Sequence, residues 1–210
     1  MMRFFHGIII SVSLAACASP SHRGIPMVKY SEKELFRAQR GIASESVSFF
    51  KNTYVSLDLP YSAYEKLRMA VETQEGFELK HRGEAHLTLI TPPELKVLTQ
   101  KLSAKEIVQF LQSQNIEKLS YKPTCVGKSQ LNPQAKTYYV VVDSEKAYEV
   151  RHRLHSLYTQ RGGNPASFDP EEFYPHITLG FTERDLHIED GIKKDASTCI
   201  LALQNDSQKI

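Results

Sequence analysis

His86-Leu87-Thr88-Leu89 and His176-Ile177-Thr178-Leu179 spell one pattern twice, a histidine and a threonine alternating with apolar residues, and the reading of these two tetrapeptides decides the fold. A β-strand points successive side chains to opposite faces, so each tetrapeptide sets its His and Thr side by side and sinks its aliphatic pair into a core. One face of each strand is then chemical and the other structural. At this apolar content, eight histidines would yield only about 0.07 such tetrapeptides by chance. Duplication explains the pair better than coincidence.

The flanks repeat as well. Thr53 to Asp58 precedes the first motif and Thr137 to Asp143 the second, both β-branched or aromatic runs that read as strands. A helical pattern follows each: Ala63, Tyr64, Leu67, Ala70 and Val71 behind a Ser62-x-x-Glu65 capping signal, then Ala147, Val150, Leu154, Leu157 and Tyr158 introduced by Asp143-Ser144. Both helices carry Ala-Tyr-Glu in their first turn. After each His-x-Thr strand stands a helix-entry signature, Thr91-Pro92-Pro93-Glu94 and Thr182-Glu183-Arg184-Asp185. The chain thus reads as strand, helix, His-x-Thr strand and helix start, twice, with a period of about ninety residues.

Between the halves, Ser103-x-x-Glu106 caps an amphipathic helix carrying Ile107, Val108, Phe110 and Leu111, and Tyr121 to Val126 reads as a strand; Cys199 to Leu203 should be a closing strand. Gly162-Gly163-Asn164-Pro165 reads as a helix stop and turn. These elements predict an α+β (mixed α/β) domain over 49–205: bilobal, built of duplicated strand-helix-strand halves about a pseudo-two-fold axis, with a groove between them. That length buries about 70% of its unfolded surface as one unit. Residues 206–210 are expected to be a tail.

Residues 1–17 read as a leader, with Arg3, an apolar run from Gly7 to Leu14 and a small-residue end. The run is too short to span a bilayer. Leu14-Ala15-Ala16-Cys17 resembles the bacterial lipobox, which implies cleavage before Cys17 and its acylation; more than one acyl chain would anchor the mature protein firmly. Residues 18–48 then form a lipidated tether and leading helix, polar and Pro/Gly-bearing over Ala18 to Gly24. With Ala18 rather than Asp after the cysteine, lipoprotein sorting implies an outer-membrane lipoprotein; its soluble domain is expected on the periplasmic side in preference to the cell surface, a choice the sequence leaves open. Cys125 and Cys199 fall in strands, where cysteines serve first as small apolar residues, although an exported protein permits a disulfide.

A net charge of +2 gives no strong basic stripe of the kind that binds nucleic acid non-specifically, and a small anionic ligand fits better than a long polymer. Two imidazoles flanking a phosphate can divide its cleavage, one taking a proton from water and the other giving one to the departing oxygen. The two threonine hydroxyls can donate to non-bridging oxygens as charge builds. This chemistry needs no metal or cofactor. A zinc site is the chemical rival, but neither His-Glu-x-x-His nor Cys-x-x-Cys occurs. His81, His152, His155 and His187 lack a Thr partner. Tyr174, Phe181 and Phe168 are candidates for stacking on a base, against the plainer reading as core. Lys128 and Arg184 could draw in a phosphate or simply be solvated.

Paired His-x-Thr-x strands, each within a strand-helix-strand half, resemble the two-histidine (2H) phosphoesterase superfamily of 2′,3′-cyclic phosphodiesterases and RNA 2′,5′-ligase-like enzymes; Phe173 to Phe181 is especially like its second motif. The resemblance covers 49–205. It implies a bilobal fold and metal-independent hydrolysis of a cyclic phosphate to a phosphomonoester. His86 and His176 would be catalytic, with Thr88 and Thr178 binding the phosphate. The implied partner is a small nucleotide or a short RNA bearing a cyclic phosphate, acted on by a monomer; a 2′,5′-linked oligonucleotide or a cyclic phosphate on ADP-ribose would use the same chemistry. The alternative is a non-catalytic nucleotide-binding or envelope-interaction lipoprotein. The motifs leave the two histidines interchangeable as acid and base.

Overall fold

The computed structural model describes residues 27–30, 47–49 and 54–205. Two sheets organise them. A five-stranded sheet runs β1-β8-β5-β6-β7 and a three-stranded sheet runs β2-β3-β4, with strands β1 (Met27–Tyr30), β2 (Val47–Phe49), β3 (Val55–Leu59), β4 (Ala85–Ile90), β5 (Lys122–Gln130), β6 (Lys136–Asp143), β7 (His176–Phe181) and β8 (Cys199–Asn205). Helices α1 (Tyr61–Glu75), α2 (Pro92–Leu98), α3 (Ala104–Ser113) and α4 (Glu145–Gln160) cover them. The fold is therefore α+β, as the strand and helix periodicities require.

Each half carries the expected unit. Helix α1 joins β3 to its antiparallel neighbour β4, and α4 joins β6 to its antiparallel neighbour β7. The helical stripes face the core: Ala63, Tyr64, Leu67 and Val71 are buried on α1, and Ala147, Val150, Leu154 and Tyr158 on α4. Capping follows the sequence at three helices. Thr91 N–H and Oγ donate to Glu94 at 2.8 Å, Ser103 and Glu106 close a reciprocal box, and Ser144 Oγ accepts from Ala147 N–H. Gly162, at φ 80°, lies just past the end of α4 in the left-handed region that glycine tolerates.

Two expectations are corrected, and strand pairing adds two further features. Helix α1 starts at Tyr61 behind Pro60, so Ser62 lies inside the first turn and caps nothing. Pro60 fixes the backbone entry instead. No helix follows Thr182, because its hydroxyl is engaged by Lys136 N–H at 2.9 Å and by the Gln134 carbonyl, and the next residues turn back toward the groove. Strand β1 lies within 18–48 and β2 straddles its end: β1 pairs parallel with β8 and β2 antiparallel with β3. The leading helix expected there, like residues 1–17 and 206–210, lies outside the described residues. Finally, Cys125 and Cys199 form a disulfide, Cα–Cα 5.7 Å, linking the paired strands β5 and β8.

Two contacts set the halves against each other. Lys80, just ahead of β4, forms an antiparallel bridge with Phe181 at the end of β7, with N–H···O distances of 2.8 and 2.9 Å. Gly180 makes that approach feasible, since a Cβ there would lie 2.8 Å from Leu79 Cβ and 2.9 Å from the Lys80 carbonyl oxygen. On the other side, Arg151 of α4, 1% exposed, donates to Glu94 at 2.6 and 3.2 Å, to the Leu89 carbonyl at 2.9 Å, and to the carbonyls of Asp169 and Pro170. Its guanidinium also stacks over Phe168 and Phe173. One buried cation thus ties β4 and α2 of the first half to α4 and the approach to β7 in the second.

Candidate active site

The alternation in the two tetrapeptides holds in both strands. On β4, Leu87 and Leu89 are buried while His86 and Thr88 are partly exposed; on β7, Ile177 and Leu179 are buried while His176 and Thr178 are partly exposed. Because the Lys80–Phe181 bridge brings β4 alongside β7, the polar faces meet. His86, Thr88, His176 and Thr178 line one groove of about 580 Å³, with Tyr54, Phe173 and Tyr174 among its walls. The partner strands are in matching register: Asp58 and Ser56 of β3 stand opposite His86 and Thr88, and Val141 and Tyr139 of β6 stand opposite His176 and Thr178.

The surroundings of the two histidines differ. His86 Nδ1 lies 3.6 Å from the Glu84 carboxylate, and its ring lies 5.7 Å from that of Tyr54. Burial lowers its pKa, Glu84 and Asp58 oppose that, and Arg82 adds to it. His176 Nδ1 faces the Tyr174 carbonyl oxygen at 2.7 Å, which places the ring proton on Nδ1 and leaves a lone pair on Nε2. That Nε2 lies 3.1 Å from the Lys194 ammonium. Burial first and Lys194 second pull the His176 pKa down to about 3.

Lys194 and Asp185 complete a polar chain. The Lys194 side chain is 3% exposed, and its ammonium donates to Asp185 Oδ1 at 3.0 Å; Asp185 Oδ2 accepts from Thr178 Oγ at 3.2 Å. Burial raises the Asp185 pKa but Lys194 outweighs it, so the carboxyl stays ionised and low. Asp185 also acts electrostatically on both His86 and His176, a carboxylate shared by the two halves. Tyr139 braces His176 edge-on at 5.7 Å, and its hydroxyl is held by Ser129 Oγ at 2.6 Å.

The other candidates separate. Tyr174 lines the groove. Phe181 is not among the groove's walls; at the far end of β7 it borders a side hollow of about 20 Å³ together with His86 and Thr178. Phe168 is 1% exposed beneath Arg151 and belongs to the core. Lys128 is bound to Glu75 at 2.8 Å outside the groove, and Arg184 lines the groove in a two-pronged pair with Asp190. His187 lines the groove too, whereas His152 and His155 are taken by Glu171 and the Pro165 carbonyl.

Sequence reasoning missed Lys194, Asp185, Tyr139 and Arg151. Asp185 falls within a stretch that reads as a helix start, and nothing in the pattern of Lys193-Lys194 sets the second lysine apart from the first. The only signal for Arg151 was its position beside Val150 on the apolar face of α4. Among the described residues, no cluster of three His, Cys, Asp or Glu side chains is arranged to hold a metal ion.

Residues 53–187 match the family described as Swiss Army Knife, 2H phosphoesterase domain. The match spans both His-x-Thr strands and more than half of the 210 residues. No curated protein and no solved structure matches the chain.

Proposed function

Because the chain belongs to the 2H phosphoesterase family and cleaves phosphoesters, we propose that its substrate is a 2′,3′-cyclic phosphate, on a nucleotide or a short RNA end, hydrolysed to a phosphomonoester. The observation that carries this is the meeting of His86, Thr88, His176 and Thr178 in one groove. A water oxygen attacks phosphorus while its proton passes to the neutral imidazole. The P–O bond to one ribose oxygen breaks, and that oxygen takes the proton held by the second imidazole. Ring opening thus yields a monoester beside a free hydroxyl, with the threonine hydroxyls donating to the equatorial oxygens as charge accumulates.

The groove supports a small substrate. Its volume of about 580 Å³ suits a mononucleotide, Tyr54 and Tyr174 offer flat faces, and Glu172 and Glu189 along the wall disfavour the backbone of a long polyanion. Both halves of the site come from one chain, so a monomer suffices.

The decisive experiment incubates the full chain, in detergent and with EDTA, with a panel of 2′,3′-cyclic nucleotides and follows the monoester by phosphorus NMR. Turnover that His86→Ala and His176→Ala each cut at least about a hundredfold is expected. Nucleotides that bind and return unchanged would instead favour a binding protein.

We further propose that Cys17 is acylated and tethers the domain to the periplasmic face of the outer membrane. No helix among the described residues is long and apolar enough to cross a membrane. Metabolic labelling with palmitate, lost in Cys17→Ser, tests the anchor, and membrane fractionation tests the location.

A further inference from the structure

The two halves repeat the histidine and the threonine, but among the described residues no lysine is hydrogen-bonded to His86, whose cationic neighbour is Arg82. Its nearly buried ammonium touches His176 Nε2 at 3.1 Å and Asp185 at 3.0 Å, and it borders the same groove. Burying a lysine is costly unless it is paired, and Asp185 supplies the pair. Contact with an imidazole nitrogen is a different matter. An ammonium has only donors, so Nε2 must accept, and an imidazole that accepts there cannot also carry a proton there.

We infer that Lys194 is a positioning residue that holds His176 as the neutral imidazole, with its lone pair toward the groove, and so commits His176 to the role of base. The inference rests on the phosphodiesterase reading of the groove for its chemical meaning, though not for its test. When a phosphate enters, its oxygens compete with Nε2 for the ammonium. Lys194 keeps Asp185, turns one N–H to the phosphate, and frees the His176 lone pair for a proton from water. One hydrogen bond at Nε2 is exchanged for another, and no net proton moves until attack.

The groups facing His176 act in opposite senses. Lys194 and His187 disfavour its protonation, Asp185 favours it, and the Tyr174 carbonyl fixes the tautomer. Arg82 and Asp190 in turn act on Lys194. Around His86, burial and Arg82 disfavour a proton, but the Glu84 carboxylate at 3.6 Å, Asp58 across the strand and Asp185 favour one, and no ammonium meets its ring nitrogens among the described contacts. The ammonium thereby separates two residues that the repeat leaves equivalent.

The test is a titration of the full chain, carrying labelled histidine, followed by carbon-detected NMR without substrate. In the unaltered protein the His176 signal should stay that of the neutral Nδ1–H tautomer well below pH 6. In Lys194→Met its midpoint should rise by about one pH unit or more, while that of His86 moves less. Lys194→Arg should restore the low midpoint. An unchanged His176 midpoint in folded Lys194→Met, or an Nε2–H tautomer in the unaltered protein, overturns the inference. Should Lys194→Met fail to fold, Lys194→Gln, which keeps a donor for Asp185 without the charge, is held to the same outcomes. With an active substrate, the acid limb of kcat/KM should move up in step with the midpoint, a shift that mere loosening of the fold would not produce. Absence of turnover would count against the phosphodiesterase reading and leave the titration to decide the role of Lys194.

Discussion

Lys80 and Phe181 exchange a reciprocal pair of backbone hydrogen bonds, 2.8 and 2.9 Å, and that bridge brings the strands of His86 and His176 side by side. Gly180 guards the approach. Gly180→Val is expected to overpack it, costing about 1–3 kcal/mol, and to lower turnover beyond what the remaining folded fraction explains, because the strands carrying the two histidines would part. Urea unfolding alongside kcat measurement checks both effects.

Thr178 and Thr88 should not be equivalent. Thr178 Oγ is already aimed by Asp185 at 3.2 Å, on the polar chain that ends at Lys194. Replacing either hydroxyl, as Thr→Val, should cost roughly a hundredfold in kcat with little change in stability, since each removes a donor to the charged transition state. Only Thr178→Val should also disturb the His176 titration, through Asp185.

Much of this arrangement is legible in the sequence, because strand periodicity and duplication are local signals. His86, Thr88, His176 and Thr178 can be picked out, and their faces assigned, from alternation alone, and the buried stripes of α1 and α4 follow from spacing. The parts that resist reading depend on long-range pairing. Thr182-Glu183-Arg184-Asp185 looks as much like a helix entry as Thr91-Pro92-Pro93-Glu94, yet Lys136, on a neighbouring strand, takes the Thr182 hydroxyl and Asp185 turns inward. Ser62-x-x-Glu65 has the letters of a capping box two residues too late, because the helix already begins at Tyr61 behind Pro60. Nothing local distinguishes Cys125 and Cys199 from ordinary core residues until β5 and β8 are known to pair.

Arg151 gives the largest stability prediction. Arg151→Met removes a cation that satisfies Glu94 and three backbone carbonyls at once, and leaves a carboxylate at the groove wall without it. A loss of about 3–5 kcal/mol is expected, measured by chemical denaturation, and fluorescence of a nucleotide probe should report a loosened groove.

Acid should weaken the fold before the aspartates titrate. The His176 pKa is depressed in the folded protein, chiefly by burial and then by Lys194, while in the unfolded chain it returns to near 6.5. Between those values the unfolded state binds the extra proton, so stability rises with pH through that window and is lost as pH falls through it. Burial depresses His86 in the same sense. Thermal unfolding from pH 7 down to pH 4 should show a falling Tm, and the slope should flatten in His176→Gln.

Reduction gives a separate test of the β5–β8 link. The cysteines lie 74 residues apart in sequence, and opening so long a loop should cost about 2–4 kcal/mol. Thermal scans with and without a thiol reductant would show the difference, and Cys125→Ala should abolish it.

Fusing two copies of one motif yields a pocket with interchangeable ends, into which a lopsided substrate could settle either way round and be opened to either isomer. The single ammonium beside one ring tells those ends apart. Under the proposed reading, the end that takes a proton and the end that gives one are then set by the place where the second half abandoned its helix.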